Sequence, residues 1–266
     1  MTSTLFDLAI QYQLDERGVA TITLNRPDIH NAFDDTVIAA LTNAFTHAAN
    51  DPAVRVVVLA ANGKSFCAGG DLNWMRRMAG YNYDENLQDS NALADMLRTL
   101  NFLPKPTIAR VQGAAYGGGV GLVACCDIAV ASSNSAFCLS EVKVGLIPAT
   151  ISPYVVQAIG QRAARRYFTT AELISANTAH VLGLVSELVE PKELEAHVAN
   201  IVTNLLRNGP NAIAEAKRLV LDIAGREIDA AMIADTSERI AQTSRSDEGR
   251  EGLYALLEKR KPGWIQ

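Results

Sequence analysis

The sequence has few cysteines, histidines and aromatic residues, and these scarcities exclude several classes of protein. Its 266 residues include four cysteines, four histidines and 6% aromatic side chains. No HExxH or GxSxG motif occurs, so neither a zinc protease nor an α/β-hydrolase is expected. The cysteines form no CxxC pair, lack histidines at ligand spacing and stand among apolar residues. We expect no metal site, and we expect the thiols to be small buried hydrophobes in a reducing compartment.

Long hydrophobic runs and a basic leader are also missing. The longest apolar runs are Val56–Ala61 and residues 120–126, far short of the roughly 18 residues that a membrane-spanning helix needs. The first residues carry no basic start and no sustained apolar stretch, so neither a secretory nor a transit peptide is predicted. The chain is therefore expected in the cytoplasm, without a membrane partner.

An excess of positive charge is absent as well. The 24 Lys and Arg residues are outnumbered by 29 Asp and Glu residues, which gives a formal net charge of -5. No global positive field would attract a phosphate backbone, so no nucleic-acid partner is expected. The chain does have 48% hydrophobic residues, enough for a large core, and no linker or low-complexity tract divides it.

Hydrophobic patterns predict an α/β fold with a helical C-terminal third. Residues 8–14 and Val19–Leu24 alternate as in a hairpin, Asp34 can cap the helix that follows it, and residues 54–60 resemble a strand buried on both faces. Further helices are predicted at residues 153–167, 176–182, 193–207, 211–224 and 229–244. The apolar face of the 211–224 helix must be covered, which indicates a homo-oligomer.

Two glycine-rich turns each lie between a predicted strand and a predicted helix, at residues 65–71 and 113–122. Each exposes backbone N–H groups beside a helix start, where a partial positive charge favours an anion or a carbonyl oxygen that is becoming one. Two such turns converging on one oxygen would form an oxyanion hole. The alternative is that the glycines only permit tight turns and close packing.

A second interpretation of the glycines stays open on pattern alone. Residues 119–124 fit the dinucleotide fingerprint G-x-G-x-x-A, and Glu141 follows about 20 residues later, as the acidic partner of an NAD site would. Residues 113–118 separate this pattern from its strand, which disfavours a dehydrogenase. A phosphate-binding P-loop is excluded because no Gly-Lys-Ser/Thr follows.

Glu141 follows the largely apolar run 136–140 and precedes the largely apolar residues 142–148, so its surroundings are expected to be mostly buried. An apolar site disfavours the charged form of a carboxyl group, which raises its pKa and lets it give and accept protons near pH 7. We therefore regard Glu141 as a candidate acid/base. The alternative is an ion pair with Lys143 or another cation.

Several ordered motifs resemble the crotonase, or enoyl-CoA hydratase/isomerase, superfamily. They lie at residues 25–27, 31–32, 66–72, 105–113, 117–119, 126–128, 141–148 and 258–262, which spans almost the whole chain. The resemblance implies a spiral of ββα units over residues 1–200. It also implies a helical trimerisation region over residues 201–266 that is not an independent domain, and a homotrimer or a hexamer built as a dimer of trimers.

The resemblance also implies a site. An acyl-CoA thioester carbonyl would lie between the N–H groups of Gly70 and Gly118, with Glu141 as acid/base and no metal or separate cofactor. The implied contacts of the CoA moiety are Arg26, Ala32, Ala68, Gly70 and Gly118, with Lys259 and Lys261 as weaker candidates.

One position departs from the pattern of this family. Its hydratases typically use two glutamates, of which Glu141 matches the second, whereas Gly121 stands where the first is expected. Three possibilities follow: an isomerase that uses a single glutamate, a hydratase, and a CoA-binding protein with little activity. In the hydratase, either Glu141 makes both proton transfers or a charged substrate supplies a second carboxylate.

Finer motifs at residues 71–78, 116–122 and 139–153 resemble bacterial methylglutaconyl-CoA hydratases of leucine degradation and their isohexenylglutaconyl-CoA relatives. The resemblance implies hydration of 3-methylglutaconyl-CoA to 3-hydroxy-3-methylglutaryl-CoA. Because such substrates carry a distal carboxylate, a cation is expected beside it. The candidates for the substrate pocket are Trp74, Arg76, Arg77, Tyr116, Gly121 and Lys143. The alternatives are a solvated helix face for the two arginines and core packing for the aromatic residues.

Overall fold

The computed structural model describes residues 2–265, which contain ten strands and ten α-helices. The strands are β1 (Thr2–Asp7), β2 (Ile10–Leu14), β3 (Val19–Leu24), β4 (Val56–Ala61), β5 (Thr107–Val111), β6 (Ala115–Tyr116), β7 (Ile128–Ser132), β8 (Ala136–Cys138), β9 (Ile174–Ser175) and β10 (Glu187–Val189). The helices are α1 (Asp35–Asn50), α2 (Leu72–Met78), α3 (Tyr83–Asn101), α4 (Gly118–Cys125), α5 (Ser152–Thr170), α6 (Ala176–Leu182), α7 (Leu194–Leu206), α8 (Pro210–Ile223), α9 (Ala230–Arg245) and α10 (Asp247–Leu257).

The strands form two sheets. Seven pair in the order β1-β2-β3-β4-β5-β7-β10, antiparallel from β1 to β3 and parallel from β3 onward. Strands β6, β8 and β9 form a smaller sheet. Parallel neighbours need crossover connections, which α1, α3 and α4 supply between successive strands of the large sheet. The predicted α/β class is confirmed.

The centre of the large sheet, at β4, is buried on both faces. Alternate residues of β4 point to opposite sides, so that Val57 and Leu59 join the main core while Val56 and Val58 join a second core with Val198 and Val202 of α7. This confirms the prediction that the β-branched run forms a strand covered on both faces. The division predicted at residue 200 falls inside α7, which belongs to this packing.

Local sequence signals place most elements correctly. Strands β2 and β3 form the predicted hairpin, with Ile10 opposite Leu24, and the Asp34 carboxylate caps α1 by accepting from Val37 N–H at 3.0 Å. Leu8, predicted within the first strand, instead lies in the turn between β1 and β2. Strands β1, β6 and β9 and helix α10 were not predicted. Helix α5 contains a break at Gly160, where φ is 75°.

The C-terminal helices attach to the amino ends of the parallel strands. Lys217 of α8 pairs with Asp127 at 2.9 Å and donates to the carbonyl of Lys105 at 3.3 Å, and these two residues precede β7 and β5. No residue of α8 is buried in the single chain. The loops at the other ends of these strands are therefore left for a site. Within residues 2–265, no helix combines the length and apolarity that crossing a membrane requires.

Candidate active site

The two glycine-rich turns lie side by side at the carboxyl ends of β4 and β5. A parallel bridge joins Cys67 to Ala115, and the N–H of Tyr116 donates to the carbonyl of Cys67 at 2.9 Å. Gly69 has a φ of 88°, and a Cβ built there would lie 3.0 Å from the carbonyl oxygen of Tyr116. Glycine is therefore required both for the left-handed backbone and for the close approach of the turns.

Each turn presents an unpaired backbone donor. In the described part of the chain, neither the Gly70 N–H nor the Gly118 N–H has a hydrogen-bond acceptor. Gly118 is the first residue of α4, where N–H groups have no intrahelical partner. Both glycines contact Phe33: its backbone pairs in parallel with Gly70, and a Cβ built on Gly118 would lie 2.2 Å from its ring atom Cζ.

Glu141 lies against the second turn. It begins a short 3-10 helix, Glu141–Val144, directly after the small sheet. The N–H of Gly117 donates to the carbonyl of Cys138 at 2.8 Å, and a Cβ built on Gly117 would lie 3.1 Å from Glu141 Oε1. The carboxyl group is therefore adjacent to the Gly118 donor, which follows Gly117 in the chain.

The Glu141 carboxyl group has one buried oxygen atom without a partner. Its Oε2 atom is fully buried and has no hydrogen-bond partner among the described residues. Burial raises the pKa of Glu141 above its usual value, because the charged form loses solvation. The alternative of an ion pair with Lys143 is not found: Lys143 is exposed, and Glu141 has no ion-pair partner within residues 2–265.

Gly121 is packed against apolar side chains. It lies inside α4, where a built Cβ would be 2.4 Å from Cγ2 of Ile151 and 3.3 Å from Cδ2 of Leu97. Gly119 is packed in the same way, with its built Cβ 2.6 Å from the carbonyl oxygen of Cys67. These buried glycines leave no room for a pyrophosphate, so the dinucleotide interpretation is not supported. No second carboxylate stands at position 121.

The predicted CoA-contact residues at the first turn cluster in the fold. The Ala68 N–H donates to the carbonyl of His30 at 2.9 Å, and Ala68 is exposed whereas Ala32 is 8% exposed. The Arg26 guanidinium donates hydrogen bonds to the carbonyl of Ala32 and to the carboxylates of Asp34 and Asp71. Arg26 therefore lies near the expected ligand position, but its charge is already compensated.

The C-terminal lysines lie elsewhere in the chain. Trp264, three residues after Lys261, accepts a hydrogen bond at its carbonyl from Arg55 at 3.2 Å. Arg55 immediately precedes β4, whereas Gly70 follows the opposite end of that strand. Within one chain, the structure therefore does not bring Lys259 or Lys261 to the glycine turns, and phosphate contacts from this tail do not follow from the geometry of a single subunit.

The three predicted cations differ in their surroundings. Arg76 donates to Asn73 at 2.6 Å, and Arg77 pairs with Asp35, both on the exposed face of α2. This arrangement corresponds to the solvated helix face that the sequence left as an alternative. Lys143, two residues after Glu141, forms no ion pair with any described residue.

The predicted aromatic residues flank the turns. Trp74 is 5% exposed, its ring lies 3.6 Å from a Cβ built on Gly70, and its Nε1 donates to Asp89 at 2.8 Å. Tyr116 is half-buried and lies in the second turn, two residues before Gly118. Both are adjacent to the unpaired donors, Trp74 on the side of Gly70 and Tyr116 on the side of Gly118.

The cysteines carry no special chemistry in this structure. All four are free thiols, and the predicted burial is confirmed for Cys67, Cys125 and Cys138, whereas Cys126 is half-buried. Burial raises the pKa of Cys67 to about 12, so its thiol stays protonated at neutral pH. Residues 2–265 contain no cluster of three or more His, Cys, Asp or Glu side chains able to hold a metal ion.

Two side-chain amides missed by the functional interpretation hold the first turn in place. Asn31, 2% exposed, donates to the carbonyls of Asn62 and Ser65 at 2.8 and 2.9 Å. Gln112 Nε2 donates to three carbonyls of the same loop, including those of Gly63 and Ser65, at 3.0 to 3.1 Å. Both residues lie within the quoted motifs, but nothing in those motifs indicates this contact.

Comparison with known proteins agrees with this geometry. The profile of the enoyl-CoA hydratase/isomerase family matches residues 15–266. An enoyl-CoA hydratase structure from Shewanella pealeana is 45% identical with a TM-score of 0.93, covering 96% of both chains. One from Mycobacterium smegmatis is 37% identical with a TM-score of 0.92, covering 98% of this chain and 100% of the other. A crotonyl-CoA hydratase from Syntrophomonas wolfei is 31% identical over 94% of this chain and 95% of its own. The predicted crotonase fold is confirmed, and the chain belongs to the enoyl-CoA hydratase/isomerase family.

Proposed function

We propose that this protein hydrates the 2,3 double bond of a 2-enoyl-CoA with Glu141 as its single acid/base. The observation that supports this most directly is the buried, unpartnered Glu141 Oε2 beside the turn that carries the free Gly118 N–H. Family membership and the hydratases among its relatives support the reaction class.

The mechanism uses the two backbone donors and one carboxylate. The thioester carbonyl accepts hydrogen bonds from Gly70 and Gly118, which stabilise the negative charge that develops on its oxygen. Ionised Glu141 removes a proton from water while the water oxygen bonds to C3 and the π electrons move toward C2 and the carbonyl. Glu141 then gives the proton to C2, so one water is added in total. Only protons and water move, and the CoA is part of the substrate.

The proposed substrate is 3-methylglutaconyl-CoA, which would give 3-hydroxy-3-methylglutaryl-CoA in leucine degradation. Its support is the motif resemblance around Trp74, Tyr116 and Glu141, together with one free cation near the site. Lys143 is two residues from Glu141 and has no ion-pair partner among the described residues, so we assign it to the distal carboxylate. Arg76 and Arg77 are weaker candidates because each already has a partner.

A second candidate function is an enoyl-CoA isomerase, and Gly121 is the observation that favours it. Packing of Gly121 under Ile151 leaves one carboxylate, which suffices for moving a proton from C2 to C4 of a 3-enoyl-CoA, so that the double bond shifts to the 2,3 position. A hydratase must in addition place a water at C3.

The deciding experiment measures turnover of 3-methylglutaconyl-CoA, crotonyl-CoA and a 3-enoyl-CoA by the wild type and by Glu141→Gln. We expect hydration of the branched substrate to exceed the other activities, and we expect Glu141→Gln to lose at least about 100-fold in kcat. Turnover of the 3-enoyl-CoA alone would establish the isomerase instead. Undiminished hydration by Glu141→Gln would remove Glu141 from its proposed role.

The assembly and location remain part of this proposal. We propose a cytoplasmic homotrimer, or a hexamer of two trimers, formed through α8 to α10. Its support is the absence of buried residues in α8 and the exposure of apolar side chains on α9 and α10, such as Ile240 at 65% and Leu256 at 75%. No nucleic acid or membrane is proposed as a partner.

A further inference from the structure

The two free N–H groups of the site are connected through one short segment, residues 32–34. Phe33 is 1% exposed and lies at its centre. The Phe33 N–H donates to the carbonyl of Gly69, and its carbonyl accepts from Asp71 N–H, both at 2.9 Å. These two bonds flank Gly70 and set the direction in which the Gly70 N–H points. The Phe33 ring packs against Gly118. A shift of this segment would therefore move both donors.

The Arg26 guanidinium holds this segment on both sides of Phe33. Its Nη1 donates to the carbonyl of Ala32 at 3.0 Å and to the carboxylate of Asp34 at 3.1 Å. Its Nη2 contacts the carboxylate of Asp71 at 3.4 Å, across the bridge to Gly70. One side chain thus ties the residues before and after Phe33 to the residue that follows Gly70.

Both carboxylates that Arg26 contacts are also helix caps. Asp34 accepts from the first turn of α1, and Asp71 accepts from Asn73 N–H at 2.7 Å in the first turn of α2. The backbone of Arg26 is fixed as well, because its N–H donates to Asn31 Oδ1 at 2.8 Å. The planar guanidinium presents donors in a rigid fork, which a lysine ammonium cannot reproduce.

We propose that Arg26 is a positioning residue for the oxyanion hole, acting by fixing Phe33 and Asp71 so that the Gly70 and Gly118 N–H groups converge on one oxygen. The proposal rests on the proposed function, since it assigns those donors to the thioester carbonyl. This role differs from the contact with the CoA moiety that the family resemblance implies for Arg26. The Arg26 side chain is 26% exposed and its partners Asp34 and Asp71 are 17% and 10% exposed, so the guanidinium faces protein more than solvent.

The test separates positioning from phosphate contact by changing the substrate as well as the residue. Wild type, Arg26→Gln and Arg26→Lys are assayed with a 2-enoyl-CoA and with the same thioester of 3′-dephospho-CoA. We expect Arg26→Gln to lower kcat by up to about 100-fold on both thioesters with little change in KM, as misplacement of catalytic groups does. Arg26→Lys should recover little of this loss. The control Arg17→Gln removes an exposed arginine whose single ion-pair partner among the described residues is Asp15, and it should leave kcat unchanged.

A phosphate contact would give the opposite pattern. KM would rise with kcat preserved, and Arg26→Lys would restore it. The effect would vanish on the dephospho thioester for a contact to the 3′-phosphate and persist on it for a contact to the pyrophosphate. That result overturns the proposal. If Arg26→Gln fails to fold, Arg26→Lys carries the same comparison.

A binding measurement keeps this inference separate from the proposed function. A 4-dimethylaminocinnamoyl-CoA chromophore, whose amino group makes C3 a poor site for attack by water, shifts to longer wavelength when its carbonyl is polarised by the two donors. We expect the shift to shrink in Arg26→Gln and Arg26→Lys and to persist in Glu141→Gln. An undiminished shift in both Arg26 variants overturns the positioning role. Full activity of Glu141→Gln would instead overturn the acid/base assignment and leave the shift unaffected.

Discussion

At the scale of single residues, Glu141 should make the folded state less stable at neutral pH. Burial raises its pKa, so the folded chain favours the protonated form, and its stabilising contribution is complete below the unfolded pKa and lost as pH rises through the folded pKa. Glu141→Gln should therefore raise the free energy of unfolding at pH 8, and with it Tm. Thermal unfolding at pH 8 and pH 4 tests this, and the gain should vanish at pH 4.

The matched control for this prediction is Glu172→Gln. Glu172 is exposed, and its pKa is lowered by the hydrogen bond from Arg166, so its charged form is favoured in the folded chain. That substitution should give no gain at pH 8. An equal gain in both variants would contradict the role assigned to burial at Glu141.

The two donor glycines should respond differently to an added methyl group. A Cβ on Gly118 would lie 2.2 Å from the buried Phe33 ring, whereas on Gly70 it would lie 3.0 Å from Cε of Met75, the flexible end of a side chain. Gly118→Ala should lose about 1–3 kcal/mol of unfolding free energy and most activity, and Gly70→Ala should retain wild-type stability. Chemical denaturation of both variants measures this. Equal stability of the two variants would show that the Phe33 ring shifts to accommodate the added methyl group, and would contradict this prediction.

The sequence points to Glu141 and to the two glycine-rich turns through local signals, an apolar run and strand-turn-helix boundaries, whereas Gly70 and Gly118 within those turns are implied by the family resemblance. It did not identify Phe33 as the residue between the two donors, because the contact with Gly118 joins residues far apart in the chain and leaves no periodic trace. Contacts between residues far apart in the chain also explain why Lys259 and Lys261 do not lie at the glycine turns within one chain, as the resemblance implied. Their charge is visible in sequence, but the direction in which the tail packs is set by tertiary contacts of Arg55 and Trp264.

At the scale of elements, the packing of α4 under Ile151 fixes the number of carboxylates in the site. Gly121→Glu alone should lose about 1–3 kcal/mol of stability, because its Cβ would lie 2.4 Å from Ile151 Cγ2. With Ile151→Ala in addition, a second acid/base group can be accommodated. The double variant should gain up to about 100-fold in crotonyl-CoA hydration. Denaturation curves and the hydratase assay measure both effects.

The control for this design is Ile151→Ala alone. It should lose stability by leaving a cavity and should not gain crotonyl-CoA hydration. If Gly121→Glu alone gained the activity with unchanged stability, Ile151 would not be the barrier to a second carboxylate.

Elements with local signals were predicted well, and those defined by pairing were not. The cap at Asp34 and the apolar spacing of α1 are contained in the sequence. Strand β9 has two residues, Ile174–Ser175, and exists only because it pairs with β8. Helix α10 was missed although Ser246 caps it, because its exposed apolar residues do not form a core-facing stripe within one chain.

At the scale of the whole molecule, the net charge of -5 limits how a polyanionic CoA can be bound. The overall field opposes the ligand, so binding depends on placed groups such as helix-start N–H donors. Of the cations predicted near the site, Arg26 and Arg77 are already paired with carboxylates, whereas Lys143 has no ion-pair partner among the described residues. The acidity of the chain therefore makes the few uncompensated cations near the glycine turns more important than their number suggests.

The proposed assembly predicts that negative charges introduced on α9 and α10 lower the mass of the oligomer in solution. Ile240 and Leu253 line an open groove with Leu219 between α8, α9 and α10, with a volume of about 720 Å³. Apolar surface of this kind is expected to be covered by other subunits. Ile240→Glu with Leu253→Glu should reduce a trimeric mass, measured by light scattering, toward the 28.6 kDa of one chain. Leu8→Glu, at an exposed turn far from these helices in sequence, is the control. A wild type that is monomeric at assay concentration, or a double variant of unchanged mass, would show that this groove does not hold the subunits together.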